Sequence, residues 1–276
     1  MLSTGALRAH LLAARLAGPV ATTREESLRS YRLFAAGDPR VLLGLEPERR
    51  WGVGELLGLM AAKCGVSADP AHVRGPDVID PERTMAALEA FAVRLGAAAE
   101  ARSPVLFGTG HPHRLLPFYA ALAQALSAAG CVVLTPAQGV HVDMATRFGV
   151  RPHRIDYVRG VALVRESGAR GAGSATGAHS HSPLPVRVAL GALAAAGGPL
   201  PELVVGDHGW VCGAGQLGVE AIGLGDTDDP ALFVGEAEGR VVVTVPLDDG
   251  VRSDYYGPLI RHVLHRAGLS GRQEWP

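Results

Sequence analysis

The sequence predicts a three-layer α/β/α fold around a mainly parallel, Rossmann-like sheet, with a helical N-terminal part. Three observations carry this expectation. From residue 104 onward, short apolar runs alternate with stretches of helical periodicity, the pattern of parallel strands joined by crossover helices. Several of those runs end in glycine and polar residues: Gly108-Thr109-Gly110-His111 after 105–107, Gly206-Asp207-His208-Gly209 after 203–205, and Gly225-Asp226-Thr227-Asp228-Asp229 after 219–224. Residues 1–101 show no alternating apolar–polar stretch and read as helices, either a cap or a layer against the sheet. The expected organisation is a helical part over 1–101 and an α/β core over 102–276.

In chain order, the first twenty residues read as an amphipathic helix, because Arg8, His10 and Arg15 interrupt an apolar stretch that would otherwise imitate an export signal. Thr22-Thr23-Arg24-Glu25-Glu26 reads as a capped helix start, with a hydroxyl for the free N–H groups and early carboxylates for the dipole. Asp38-Pro39 ends that helix. Residues 54–62 form another helix, and Asp80-Pro81 opens the longest one, to about residue 101. Then comes strand 105–107, a loop, and a helix with Leu115, Leu116, Tyr119, Leu122 and Leu126 as its apolar stripe. Gly130 stops it, and 131–134 reads as the next buried strand. Residues 142–148 suggest a short helix, and 157–164 a strand with Gly160 as a bulge. The Gly, Ser and Ala-rich stretch 167–177 reads as a mobile loop. Helix 183–196, strand 203–205, a short helix from Gly213, strand 219–224, helix 231–238, strand 240–245 and helix 255–267 complete the chain.

Composition narrows the function. The 276 residues are 47% hydrophobic and 19% charged, enough for a sizeable core, and the net charge of -1 gives no general nucleic-acid surface. Lys63 is the single lysine, so a P-loop or Schiff-base mechanism would have to rest on it. Cys64, Cys131 and Cys212 lack the paired spacing of a disulfide framework or a zinc knuckle. No apolar run is long enough to span a bilayer, so a cytoplasmic protein without membrane or nucleic-acid partners is expected.

The chemistry concentrates in loops that follow the carboxyl ends of strands, where ligands bind in open α/β sheets. Gly108, Thr109 and Gly110 let backbone approach a ligand. The helix beginning at Pro112 then offers free N–H groups beside His111, His113 and Arg114, which favours a phosphate. His111 or His113 would act as general acid and Arg114 as charge clamp. In Ala178-His179-Ser180-His181-Ser182-Pro183, two imidazoles share a side of an extended segment, and Ser180 and Ser182 can cap the next helix. Asp207 and His208, directly after a buried strand, suit a divalent ion or proton transfer, with Asp226 as a further ligand. Asp229 reads as a helix cap, and Asp248, Asp249 and Asp254 read as surface loop residues. Arg74 and Arg83 read chiefly as surface ion pairs beside a helix start. Gly213, Gly215 and Gly218 form G-x-G-x-x-G, but Gly206 and Gly209 break the approach to it, so close backbone packing explains them better than a dinucleotide.

The set FGTGHPHRLL, GAHSHSPLPVR, VVGDHGWVCGAGQLG and GLGDTDDPALFVGEAEGR resembles a group of actinobacterial proteins known simply as phosphatases, over nearly the whole chain. The chain lacks the D-x-D-G-T motif of aspartate-nucleophile phosphatases and the C-x5-R loop of cysteine phosphatases. The resemblance and the loops together imply hydrolysis of a phosphate monoester of a small metabolite, assisted by Mg²⁺, Mn²⁺ or Zn²⁺. A non-catalytic binder of a phosphorylated ligand or nucleotide is the first alternative, and an NAD(P)-dependent oxidoreductase the second.

Overall fold

The computed structural model describes residues 3–146, 149–167 and 177–270. Among the described residues, nine strands form two sheets, seven in the larger and two in the smaller. The larger contains β3 (Val105–Gly108), β4 (His141–Thr146), β5 (Gly149–Val158), β6 (Val161–Glu166), β7 (Leu203–Asp207), β8 (Ala221–Gly225) and β9 (Val243–Pro246), in the order β4-β5-β6-β3-β7-β8-β9. From β6 to β9 every pairing is parallel, while β4, β5 and β6 pair antiparallel. The sheet is thus mainly parallel, as expected.

Side chains alternate across it, as strand geometry requires. Phe107, Val205, Leu224 and Val245 enter one core with α1 (Thr4–Ala13), α5 (Pro81–Ala101), α6 (Pro112–Ala128) and α10 (Gly257–Arg266). Leu106, Val204 and Ala221 enter the other. There they meet α2 (Arg24–Ala35), α4 (Val53–Cys64), α7 (Leu184–Ala195), α8 (His208–Gln216) and α9 (Pro230–Ala237). A one-turn helix, α3 (Pro39–Leu42), adjoins α2. The helices of the first hundred residues therefore share both cores with the sheet.

Several local expectations differ from the structure. Residues 18–23 and 76–79 are strands, β1 (Gly18–Thr23) and β2 (Pro76–Ile79), which pair antiparallel. They are held by the fully buried Arg24, whose guanidinium lies 3.6 Å from Asp77 and donates to the Ser67 and His72 carbonyls. Residues 141–146 are β4 rather than helix, and 147 and 148 lie outside the described residues. Arg159-Gly160 is the turn of the β5–β6 hairpin, not a bulge, with Gly160 at φ 83°. Residues 131–134 contribute one bridge, Val133 to Val105, rather than a full strand. Most of the glycine-rich stretch, 168–176, lies outside the described residues. The start of α2 follows the sequence closely: Thr23 and Glu26 form a reciprocal capping box.

The chain leaves β3 toward β6 and leaves β7 toward β8, so the crevice beyond the carboxyl ends of β3 and β7 is a topological switch point.

Candidate active site

Five segments meet at that crevice: the loops after β3, β7, β8 and β9, and residues 178–183 ahead of α7. They enclose a cavity of about 400 Å³ lined by His111, His179, His181, His208, Asp226, Asp228, Asp229, Asp248 and Asp249. The end of β1 closes one side with Ala21 and Thr22, and Glu26 reaches it from α2.

Each segment is fixed by its backbone. Asp207 ends β7, fully buried, and accepts hydrogen bonds from the Thr109 hydroxyl at 2.6 Å and the Gly110 N–H at 2.5 Å. That ties the loop after β3 to the loop after β7. Gly110 in turn accepts from the Ser180 N–H at 2.9 Å, which seats the histidine segment across both. A side chain at Gly110 would place its Cβ 2.2 Å from the Ser180 carbonyl, so only glycine permits this approach. After β8, the Asp226 carboxylate accepts from Thr227 N–H and from the Thr22 hydroxyl of β1. After β9, Asp248 accepts from the N–H groups of Ala21 and Gly250.

His208 is the centre of this arrangement. It is 1% exposed and sits at φ 45°, a left-handed conformation unusual for any residue with a Cβ and typical of strained functional positions. Its Nε2 lies 3.1 Å from Asp229 Oδ2 and 3.5 Å from Asp249 Oδ2. Its Nδ1 is 4.0 Å from Asp207 Oδ1. The rings of His111 and His181 lie 4.4 and 4.1 Å from it, and His179 lies 4.3 Å from His111. His111 Nδ1 is 3.4 Å from Asp249 Oδ2. Among the described residues, His111 Nδ1, His208 Nδ1 and Asp249 Oδ2 are buried and make no hydrogen bond. Buried polar atoms without partners are costly, and several facing one another mark a site built for a ligand.

The electrostatics follow from burial. Burial opposes charge on His208, but Asp229, Asp249 and Asp207 together outweigh it and hold its pKa well above the ordinary value. Burial likewise opposes charge on Asp229, and His208 outweighs that too, so Asp229 stays ionised. Burial and then His208 push His111 far down, His179 to about 4 and His181 to about 3. Burial raises Asp249 to about 6, against the pull of His208. Burial and Asp229 raise Asp228 to about 8, and burial with Asp228 holds Asp226 well above the usual carboxyl range. Near neutral pH the site is thus an ionised His208–Asp229 pair among neutral imidazoles, with Asp228 holding its proton.

Two groups of side chains bring ligand atoms within 4.8 Å of one another, His208 with Asp229 and Asp249, and His111 with His179 and His208. Imidazole with carboxylate suits Zn²⁺ or Mn²⁺ better than a hard all-oxygen ion. The buried nitrogen and oxygen atoms above that lack a hydrogen bond fit such an ion.

The expected site residues divide. His111, His179, His181, His208 and Asp226 line the cavity. Asp207 does not; its two oxygens accept from the Thr109 hydroxyl and the Gly110 N–H behind the cavity wall. Asp226 stands apart from both ligand groups and anchors β1. His113 and Arg114 are exposed on α6 and line neither this cavity nor the groove beside it. Pro112 begins the helix, so His111 precedes it and turns inward while the next two positions follow the outer face. Gly108 is buried, with its Cβ position against the Trp210 ring, and does not line the cavity. Thr109 spends its hydroxyl on Asp207 and His111 N–H. The Ser180 hydroxyl accepts from Ser182 N–H, and the Ser182 hydroxyl accepts from Leu184 N–H. Asp229 and Asp249, expected as a cap and a surface residue, are the carboxylates nearest His208; Asp229 makes no capping bond. Gly213 and Gly215 lie inside α8 against Pro183, Val186 and the Arg240 carbonyl, the close packing expected of them.

A family model described as Phosphatase matches residues 2–271. The chain belongs to the Phosphatase family. A Streptomyces coelicolor protein that bears the name phosphatase is 44% identical over 271 residues, covering 97% of each chain. The actinobacterial resemblance read from the motifs is thereby shown. Family membership and that name support phosphatase activity. No helix among the described residues is long and apolar enough to cross a membrane.

Proposed function

We propose that the chain hydrolyses a phosphate monoester of a small metabolite, with a divalent cation held at His208. The observation that supports this most strongly is the gathering of Asp229, Asp249, His111 and His179 about His208, with His111 Nδ1 and Asp249 Oδ2, 3.4 Å apart, both buried without a hydrogen bond. Asp229 and Asp249 supply negative charge, and the imidazoles supply neutral nitrogen donors. A bound cation would neutralise phosphoryl oxygens and make a water nucleophilic near neutral pH. Asp207 keeps the loops in register by bracing Thr109 and Gly110. His179 and His181 stand at the opening, where they meet the phosphoryl group and its leaving oxygen. Asp248 and Asp226 hold β1 over the far wall and exclude water from that side.

The test is phosphate release from a panel of metabolite monoesters. The chelator-stripped protein is assayed alone and with Mg²⁺, Mn²⁺ or Zn²⁺. Turnover that appears only with a cation supports the reading. A thermal shift with phosphate esters but no phosphate release would make the chain a binder instead.

A further inference from the structure

Beside the metal-binding cavity lies a second opening of about 730 Å³, which shares His179 and His181 as its common wall. The two spaces differ in chemistry. The first is lined by five aspartates; among the described residues, the second is lined by no carboxylate. Its walls include Met144 and Ala145 from β4, Pro39 from α3, and Pro183 and Leu184 at the start of α7. Its polar residues are largely committed elsewhere. Ser180 gives its hydroxyl to Met144 Sδ and accepts from Ser182 N–H. Ser182 caps Leu184 N–H at 3.2 Å. His153 Nδ1 is paired with the Arg151 carbonyl, and Arg40 is chelated by Asp38 through two contacts. What this groove offers an occupant is therefore mostly apolar surface. A polyhydroxylated body would regain few hydrogen bonds there for the water it lost.

We infer that this groove is the leaving-group subsite, and that the substrates are monoesters of alcohols with an apolar, ring-sized body rather than sugar or glycerol phosphates. The inference rests on the phosphatase reading for the position of the phosphoryl group, between the imidazoles and the carboxylates. His179 and His181 then mark the scissile bond, with phosphorus on the aspartate side and the alcohol on the Met144 side. Apolar contact in a groove of this kind raises affinity without changing the chemistry of the bond, so its effect belongs in KM.

The experiment compares ethyl phosphate with 2-phenylethyl phosphate, whose alcohols have similar acidity, using the full chain supplied with Mn²⁺. The expected ratio of kcat/KM is about tenfold in favour of the phenylethyl ester, carried by KM. Ala145→Trp, which fills the groove from an exposed strand position, is expected to bring that ratio near one. Calorimetric binding of 2-phenylethylphosphonate and ethylphosphonate, which cannot be hydrolysed, reads the groove without turnover. The same preference of about tenfold and the same loss in the variant are expected. Phosphonate preference without hydrolysis of either ester would keep the groove and sink the phosphatase reading. Equal affinities, no binding of either phosphonate, or a ratio that Ala145→Trp leaves unchanged would overturn the subsite.

Discussion

His208 carries a backbone strain, φ 45°, that only its side-chain partners justify. Replacing it with alanine removes the group shared by both sets of ligand atoms and leaves Asp229 and Asp249 facing each other. Phosphate release by His208→Ala should fall roughly a thousandfold, measured against wild type at saturating cation. Asp207 makes the opposite kind of contribution. Asp207→Ala strips acceptors from Thr109 and Gly110 inside the fold and should cost about 3 kcal/mol of stability, read in chemical denaturation. Asp207→Asn, which can still accept from Gly110 and donate to Thr109, should retain most of that stability. At this scale the sequence was only partly legible. His111 and His113 are two residues apart in one motif, yet Pro112 sends one to the cavity and the other to solvent. Asp249 lies in Leu247-Asp248-Asp249-Gly250, which reads as a surface turn until β9 is seen to end at the crevice, leaving Asp249 only 6% exposed.

Among the elements, the parallel strands β3, β7 and β8 are easiest to read, because each is a short apolar run closed by glycine or aspartate. Their carboxyl-end loops carry the chemistry for the same reason. β1 was hidden: Gly18-Pro19 opens it, Ala21 and Thr22 dilute it, and its partner β2 lies more than fifty residues away. Its importance appears only through the hydrogen bonds from Thr22 to Asp226 and from Ala21 to Asp248. The β4–β5–β6 meander was equally opaque, since Gly160 reads as a bulge as easily as a turn. The junction between β3 and the histidine segment is the most sensitive point at this scale. Gly110→Ala would press a methyl group onto the Ser180 carbonyl, and that backbone cannot yield without moving His179 and His181. The expected cost is about 2 kcal/mol, a Tm lower by roughly 5 °C, with activity falling further than stability. A thermal melt and an activity assay on the same preparation check both parts.

For the molecule as a whole, the charge arrangement at the sheet edge sets how stability responds to pH and cation. Asp249 and Asp228 hold protons in the fold up to about 6 and about 8, while unfolded carboxyls release them near 3.8. Their stabilising contribution is complete below the unfolded value and is lost as pH rises through the folded ones. His208, raised in the fold, contributes fully below 6.5 and loses that contribution as pH rises through its folded pKa. His179 and His181, lowered to about 4 and about 3, act the other way and lose stability as pH falls below 6.5. Above 6.5 the carboxyls and His208 share one sign. The metal-free protein should therefore show a falling Tm from pH 6.5 to 8.5, and a bound cation, which replaces those protons, should flatten the fall. All of this depends on the cluster around His208 being a cation site. The most direct measurement is a calorimetric titration of the chelator-stripped protein with Mn²⁺, run on wild type and on His208→Ala. A saturable site in wild type that is lost in the variant is the predicted result. No binding to wild type, or equal binding to both, would contradict it.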